Sequence, residues 1–169
     1  MKIRLQQSQP TSEEYLMIGV SSALKDYQLS HFFNRRFSTQ FIKQTDIPFY
    51  GKQGLKGRFA FYYYYDEDLR MDFYLFSNYS KNTYSIATYK HFEYFVLFKL
   101  SSFLLPVNEI LKEMRTISGV NAALQIPLKT IKTLDEILED IELHLLDIQS
   151  KNKNHNHQQW LWNKRALTE

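Results

Sequence analysis

The chain has 169 residues, a net charge of +3 and no cysteine. That length suits one domain, and the missing thiols exclude disulfides, thiolate nucleophiles and thiolate-held metals. Hydrophobic residues make up 44% of the chain and aromatic ones 16%, enough to bury a sizeable core dominated by large rings.

Tyr15 to Val20 (YLMIGV) reads as a buried strand. Ser21, Ser22 and Asp26 offer N-cap side chains for a helix carrying Leu29, Phe32, Phe33 and Phe37, with Arg35 and Arg36 in its last turn. Ser38 to Lys56 reads as a loop, because Pro48, Gly51 and Gly54 punctuate it and Gly57 follows. Arg58 to Tyr65 and Met71 to Phe76 are aromatic-rich runs around the turn Asp66-Glu67-Asp68, which predicts a hairpin. Ser77 to Ser85 is a polar loop and Glu93 to Leu100 another strand.

Leu104, Val107, Leu111 and Met114 mark a second helix, flanked by Ile110 and Ile117, with Pro106 in its first turn and Gly119 beyond its end. Val120 to Ile126 is the last strand. Thr133 to Glu136 forms a capping box for a helix whose apolar stripe is Leu134, Ile137, Leu138, Ile141, Leu145 and Ile148. The order predicts an α+β, ferredoxin-like β-α-β-β-β-α-β sandwich with an extra C-terminal helix. It divides into an α+β domain over 1–128, an acidic amphipathic helix over 129–149 that packs on the domain or on a partner, and a polar, basic, Trp-containing tail over 150–169, read as flexible.

Side chains alternate between the two faces of a strand. Phe59, Phe61, Tyr63 and Tyr65 oppose Ala60, Tyr62 and Tyr64; Met71, Phe73 and Leu75 oppose Asp72, Tyr74 and Phe76; Phe95 and Leu97 oppose Tyr94, Val96, Phe98 and Leu100. Both faces are apolar, so two helices on one face leave the other wanting cover: the acidic helix, a second protomer or a ligand.

Charge follows the same divisions. Residues 1–132 carry a basic surplus, 133–148 hold six acids and no Lys or Arg, and 149–169 are basic again. Opposite charges of this kind favour docking of the helix onto its own body or another chain. Met1 to Gln9 lacks the apolar segment a signal peptide needs, and no apolar run is long enough to span a bilayer. The expected location is the cytoplasm, without membrane insertion.

Several blocks resemble the IPExxxVDY family of small bacterial proteins. They are Tyr15 to Asn34 (YLMIGVSSALKDYQLSHFFN), the hairpin around Asp66 to Asp68, and Ile117 to Ile126 (ISGVNAALQI). The naming motif falls on Ile86 to Tyr94, with Ile86 and Tyr94 matching, Glu93 for Asp, Ala87 and Thr88 for Pro and Glu, and Phe92 for Val. The resemblance covers about Glu14 to Leu128 and implies no activity, cofactor or catalytic residue.

No catalytic, metal or cofactor site is expected. His155 and His157 lack further ligands, and Asp66, Glu67, Asp68 and Asp72 have the usual composition of a wet hairpin tip. His31, His91 and His144 read as structural. Lys56-Gly57-Arg58-Phe59-Ala60-Phe61 resembles the aromatic strand motif of RNA-recognition domains, with Arg58 inserted. Trp160-Leu161-Trp162 with Lys164 and Arg165 has the residue types of an interface anchor. The expectation is a non-enzymatic interaction or scaffold protein acting on a protein partner or a second copy, with Tyr62, Tyr64, Tyr74, Trp160, Trp162 and Arg165 as interaction residues. The alternatives are a nucleic-acid-binding protein and a small-molecule-binding regulatory domain.

Overall fold

The computed structural model describes residues 14–102 and 104–166, with side chains as far as Asn156. Among them are three α-helices and ten strands: β1 (Tyr15–Ser22), α1 (Asp26–Phe37), β2 (Ile42–Lys43), β3 (Ile47–Gly51), β4 (Gly54–Phe59), β5 (Phe61–Asp66), β6 (Met71–Ser77), β7 (Tyr79–Ser80), β8 (Thr83–Tyr84), β9 (Tyr94–Lys99), α2 (Val107–Arg115), β10 (Val120–Ile126) and α3 (Leu134–Ala166). Six strands form one antiparallel sheet in the order β10-β1-β9-β6-β5-β2, while β3-β4 and β7-β8 form separate hairpins. The fold is mixed α+β, as expected. No helix of the described residues is long and apolar enough to cross a membrane.

The sheet is greasy on both sides, and the chain itself covers both. On one side Leu29 and Phe33 of α1 and Leu111 and Met114 of α2 pack on Ile18, Val20, Leu75 and Val96. On the other, Leu134, Ile137, Leu138 and Ile141 of α3, with Ile47 and Phe49 of β3, pack on Met17, Phe61, Tyr74, Phe95 and Leu97. Of the three covers the sequence allowed, the acidic helix takes this face, and every residue of the expected stripe faces inward.

Several expectations need correction. The segment 38–56 is not a loop: Ile47 and Phe49 of β3 point into the core, and β3 and β4 pair around a turn in which Gly54 has φ 98°. Glycine adopts that value without steric cost, so the residues that suggested a loop build a hairpin. Arg58 to Tyr65 is two strands broken at Ala60, whose N–H donates to Ser77 Oγ at 3.0 Å. The polar loop after β6 contains β7 and β8. Helix α1 is capped at Lys25, whose N–H donates to Gln28 Oε1, and not at Ser21, Ser22 or Asp26. Leu104 precedes α2 and is exposed. Beyond residue 149 the chain continues as helix to Ala166, not as a flexible tail; the helix already nucleated by its packed half extends at the cost of propagation alone.

Two details fix the chain between β6 and β9. The fully buried Asn78 donates through Nδ2 to the carbonyls of Tyr89 and Phe92, both at 2.9 Å, and its Oδ1 accepts from Ser85 Oγ and Ile86 N–H at 2.9 and 2.8 Å. Phe92 in turn lies against Gly19, where an added Cβ would meet Phe92 Cδ2 at 2.8 Å. Glycine therefore permits the close approach. At the free edge of the sheet, Arg115 Nε and Nη2 donate to the carbonyl of Ala123 in β10 at 3.1 and 2.7 Å, which blunts an edge otherwise open to strand addition.

Candidate interaction surface

The expected interaction tyrosines do not share a face. In the register of β5 with β6, Tyr62 opposes Leu75, Tyr63 opposes Tyr74 and Tyr64 opposes Phe73. Tyr62 and Tyr64 therefore lie under the α1–α2 side, and Tyr74 lies under α3. Tyr62 and Tyr74 are buried and Tyr64 half-buried. Tyr62 donates its hydroxyl to Asp26 Oδ2 at 3.0 Å, Tyr64 to Asp66 Oδ2 at 3.2 Å, and Tyr74 stacks between Phe61 and Tyr63. Burial, with the carboxylate partner in the case of Tyr62, pushes both Tyr62 and Tyr74 well above the usual phenol range. Tyr62 and Tyr74 are core and Tyr64 lies at its margin, so the three rings do not make one exposed platform.

That leaves α3. Its first half is held by more than the apolar stripe. Tyr15 Oη donates to Glu142 Oε1 at 2.8 Å and Lys99 Nζ to the same oxygen at 3.0 Å. The N–H of Tyr50 donates to Asp140 Oδ2 at 2.9 Å. His144 is buried edge-on to Phe61, its Nε2 2.9 Å from the carbonyl of Thr45, as suits the structural role expected of it. Burial would raise the Glu142 carboxyl, but the hydrogen bonds from Lys99 and Tyr15 outweigh it and hold the group below its ordinary value.

A carboxylate whose folded-state pKa is depressed stabilises the fold above its unfolded value and loses that contribution as pH falls through the folded one. Glu142→Gln is therefore expected to lower Tm relative to the native chain near neutral pH, and the difference should close on acidification below the ordinary glutamate range. Thermal melts of both proteins across that range check it; a gap that persists in acid would contradict the ion-pair role.

The outward face of the same half carries acids and two leucines. Leu143 and Leu146 are 57% and 62% exposed. After Ile148, every described side chain of α3 through Asn156 is exposed, and the only ion pair in this stretch among the described residues is Lys151 with Asp147 at 2.8 Å. Trp160, Trp162 and Arg165 fall on the last turns of α3; their side chains, like that of His157, lie outside the described part. Among the described residues no group of three His, Asp or Glu side chains could hold a metal.

No protein-family model, curated protein sequence or solved structure matches the chain.

The surface is thus a helix of two halves. At 1.5 Å per residue, 33 residues extend about 50 Å, and the half beyond Ile148 projects with every described side chain exposed. Asn152, Asn154 and Asn156 are weak helix formers, and a short helix of such composition is marginal in water without something to pack on.

Proposed function

We propose that the protein works by association and not by catalysis, as a cytoplasmic interaction protein that pairs with a second copy of itself through α3. The observation that carries this reading is the charge order along that helix. Asp135, Glu136, Glu139, Asp140, Glu142 and Asp147 occupy the packed half, and Lys151, Lys153, Lys164 and Arg165 the projecting half. A parallel pair would lay acid on acid. An antiparallel pair centred on Ser150 sets Asp135 and Glu136 opposite Arg165 and Lys164, and Asp147 opposite Lys153. Such a contact is isologous, as two-fold dimers require. It also brings Leu143 and Leu146 under the partner's projecting half, opposite His157 and Asn154. Exposed ion pairs add little affinity; here they select orientation.

The ferredoxin-like reading belongs to the same proposal. It is supported by the antiparallel order β10-β1-β9-β6, with α1 and α2 on one face; β5 and β2 extend the sheet beyond it. Membership of the IPExxxVDY family is retained with it. The residues that carry that resemblance have structural work: Ile86 is buried, Glu93 Oε2 accepts from Ser22 N–H at 2.7 Å, and Tyr94 donates to the carbonyl of Leu24 at 2.7 Å.

The mass in solution tests the association. Light scattering over a concentration series should move from 20.3 kDa towards twice that value. Leu143→Asp with Leu146→Asp should hold the chain at the lower mass and, at concentrations too low for the native chain to pair, melt as the native chain does, because both side chains face water in the single chain. A chain that stays at the lower mass at every concentration would refute the pairing.

A further inference from the structure

Between α1, α2 and the sheet lies a cavity of about 220 Å³ that opens beside the β5–β6 turn. Its walls include five phenylalanines, Phe33, Phe37, Phe41, Phe73 and Phe98, together with Met114. Protein interiors are close-packed, and unfilled space is costly to keep. Apolar cavities smaller than this one take up benzene-sized guests.

Two polar side chains stand among the lining residues. Thr39 is spent: its hydroxyl donates to Asn34 Oδ1 at 2.9 Å. Asp66 accepts from the N–H of Leu69 at 2.9 Å through Oδ1 and from the Tyr64 hydroxyl at 3.2 Å through Oδ2. Each carboxylate oxygen has a further lone pair to offer. Aromatic walls favour edge-to-face contact with a flat ring, and a carboxylate accepts a hydrogen bond while repelling another anion.

We infer that this cavity is a binding site for a small, flat aromatic molecule with one N–H donor and no negative charge, its ring among the phenylalanines and its N–H on Asp66. The inference is independent of the α3 pairing, which uses the opposite face of the sheet.

Indole is the probe. In titrations followed by chemical shift, it should saturate a single site, moving the resonances of Leu69, Phe73 and Met114, with a dissociation constant on the order of 0.1 mM. Indole-3-carboxylate, which carries a negative charge, should bind at least about tenfold more weakly, a difference of about 1.4 kcal/mol. Ile110→Phe, which fills the cavity from α2, should abolish binding while the spectrum stays dispersed. Should that variant not fold, Leu69→Phe fills the same space from the turn. No saturable shift at millimolar indole would overturn the proposal. So would equal binding by native chain and a folded cavity-filled variant, or equal binding of the anion.

Discussion

Asn78→Ala is expected to destabilise the fold by about 3–5 kcal/mol, among the larger single-residue effects a domain of this size shows. The amide makes four hydrogen bonds in a fully buried position, to the carbonyls of Tyr89 and Phe92, to Ile86 N–H and to Ser85 Oγ. Truncation removes the hydrogen-bond partner of all four groups, and each group left unsatisfied in a buried position costs about 1–3 kcal/mol. Asn78→Asp should be no milder, since a carboxylate would face two carbonyl oxygens. Urea unfolding of the three proteins, compared at equal m-value, measures the differences. A loss below about 1 kcal/mol for the Ala variant would mean that the segment from β7 to the start of β9 is held by its apolar contacts alone.

The second large effect concerns the cover on the α3 side of the sheet. Leu138 is fully buried among the residues that α3 shares with the sheet. Leu138→Ala removes its contacts with that face and should cost about 3–5 kcal/mol, towards the upper end for such truncations, because a sheet paired on both edges of the gap cannot collapse to fill it. The loss has a spatial signature. Hydrogen exchange should quicken through the first half of α3 and in the β3–β4 hairpin packed with it, and much less in α1 and α2 on the far side. Uniform quickening on both faces would mean that α3 is not a separable cover.

Why the sequence revealed some of this and not the rest has a physical reason in each case. The two faces of β5, β6 and β9 follow from the pleat, which is local, so the alternation of Phe61, Tyr62 and Tyr63 or of Phe73 and Tyr74 was legible. The register between strands is not local. Tyr74 opposes Tyr63 because the turn between β5 and β6 is closed by Arg70 at φ 52° and by the N–H of Leu69 on Asp66 Oδ1. A one-residue change there would exchange the faces, and this placed Tyr74 apart from Tyr62 and Tyr64. The stripe on α3 was legible because its 3.6-residue period runs unbroken from Leu134 to Ile148. The helix beyond it was not, because Asn, His and Gln without periodicity resemble a solvated tail. The β3–β4 hairpin was hidden by its glycines, whose role depends on pairing partners. The phenylalanine cavity assembles side chains from α1, β6, β9 and α2, and no local pattern foreshadows it. The acid-then-base order along α3, by contrast, is written in the sequence, and the continuous helix over Leu134–Ala166 is what the proposed pairing adds to it.

The most direct measurement of that pairing exploits the absence of cysteine in the chain. Ser150→Cys introduces a single exposed thiol at the centre of the antiparallel pair, to be spin-labelled and examined by pulsed dipolar spectroscopy. Paired helices pack with axes about 8–10 Å apart, so two labels at position 150 should give a defined distance on the order of 10–25 Å. A label on the Glu139→Cys variant, well off that centre, should give a longer one. A featureless background decay at both positions, in samples concentrated enough to associate, would contradict the account, and so would equal short distances at both, which a parallel pair would give.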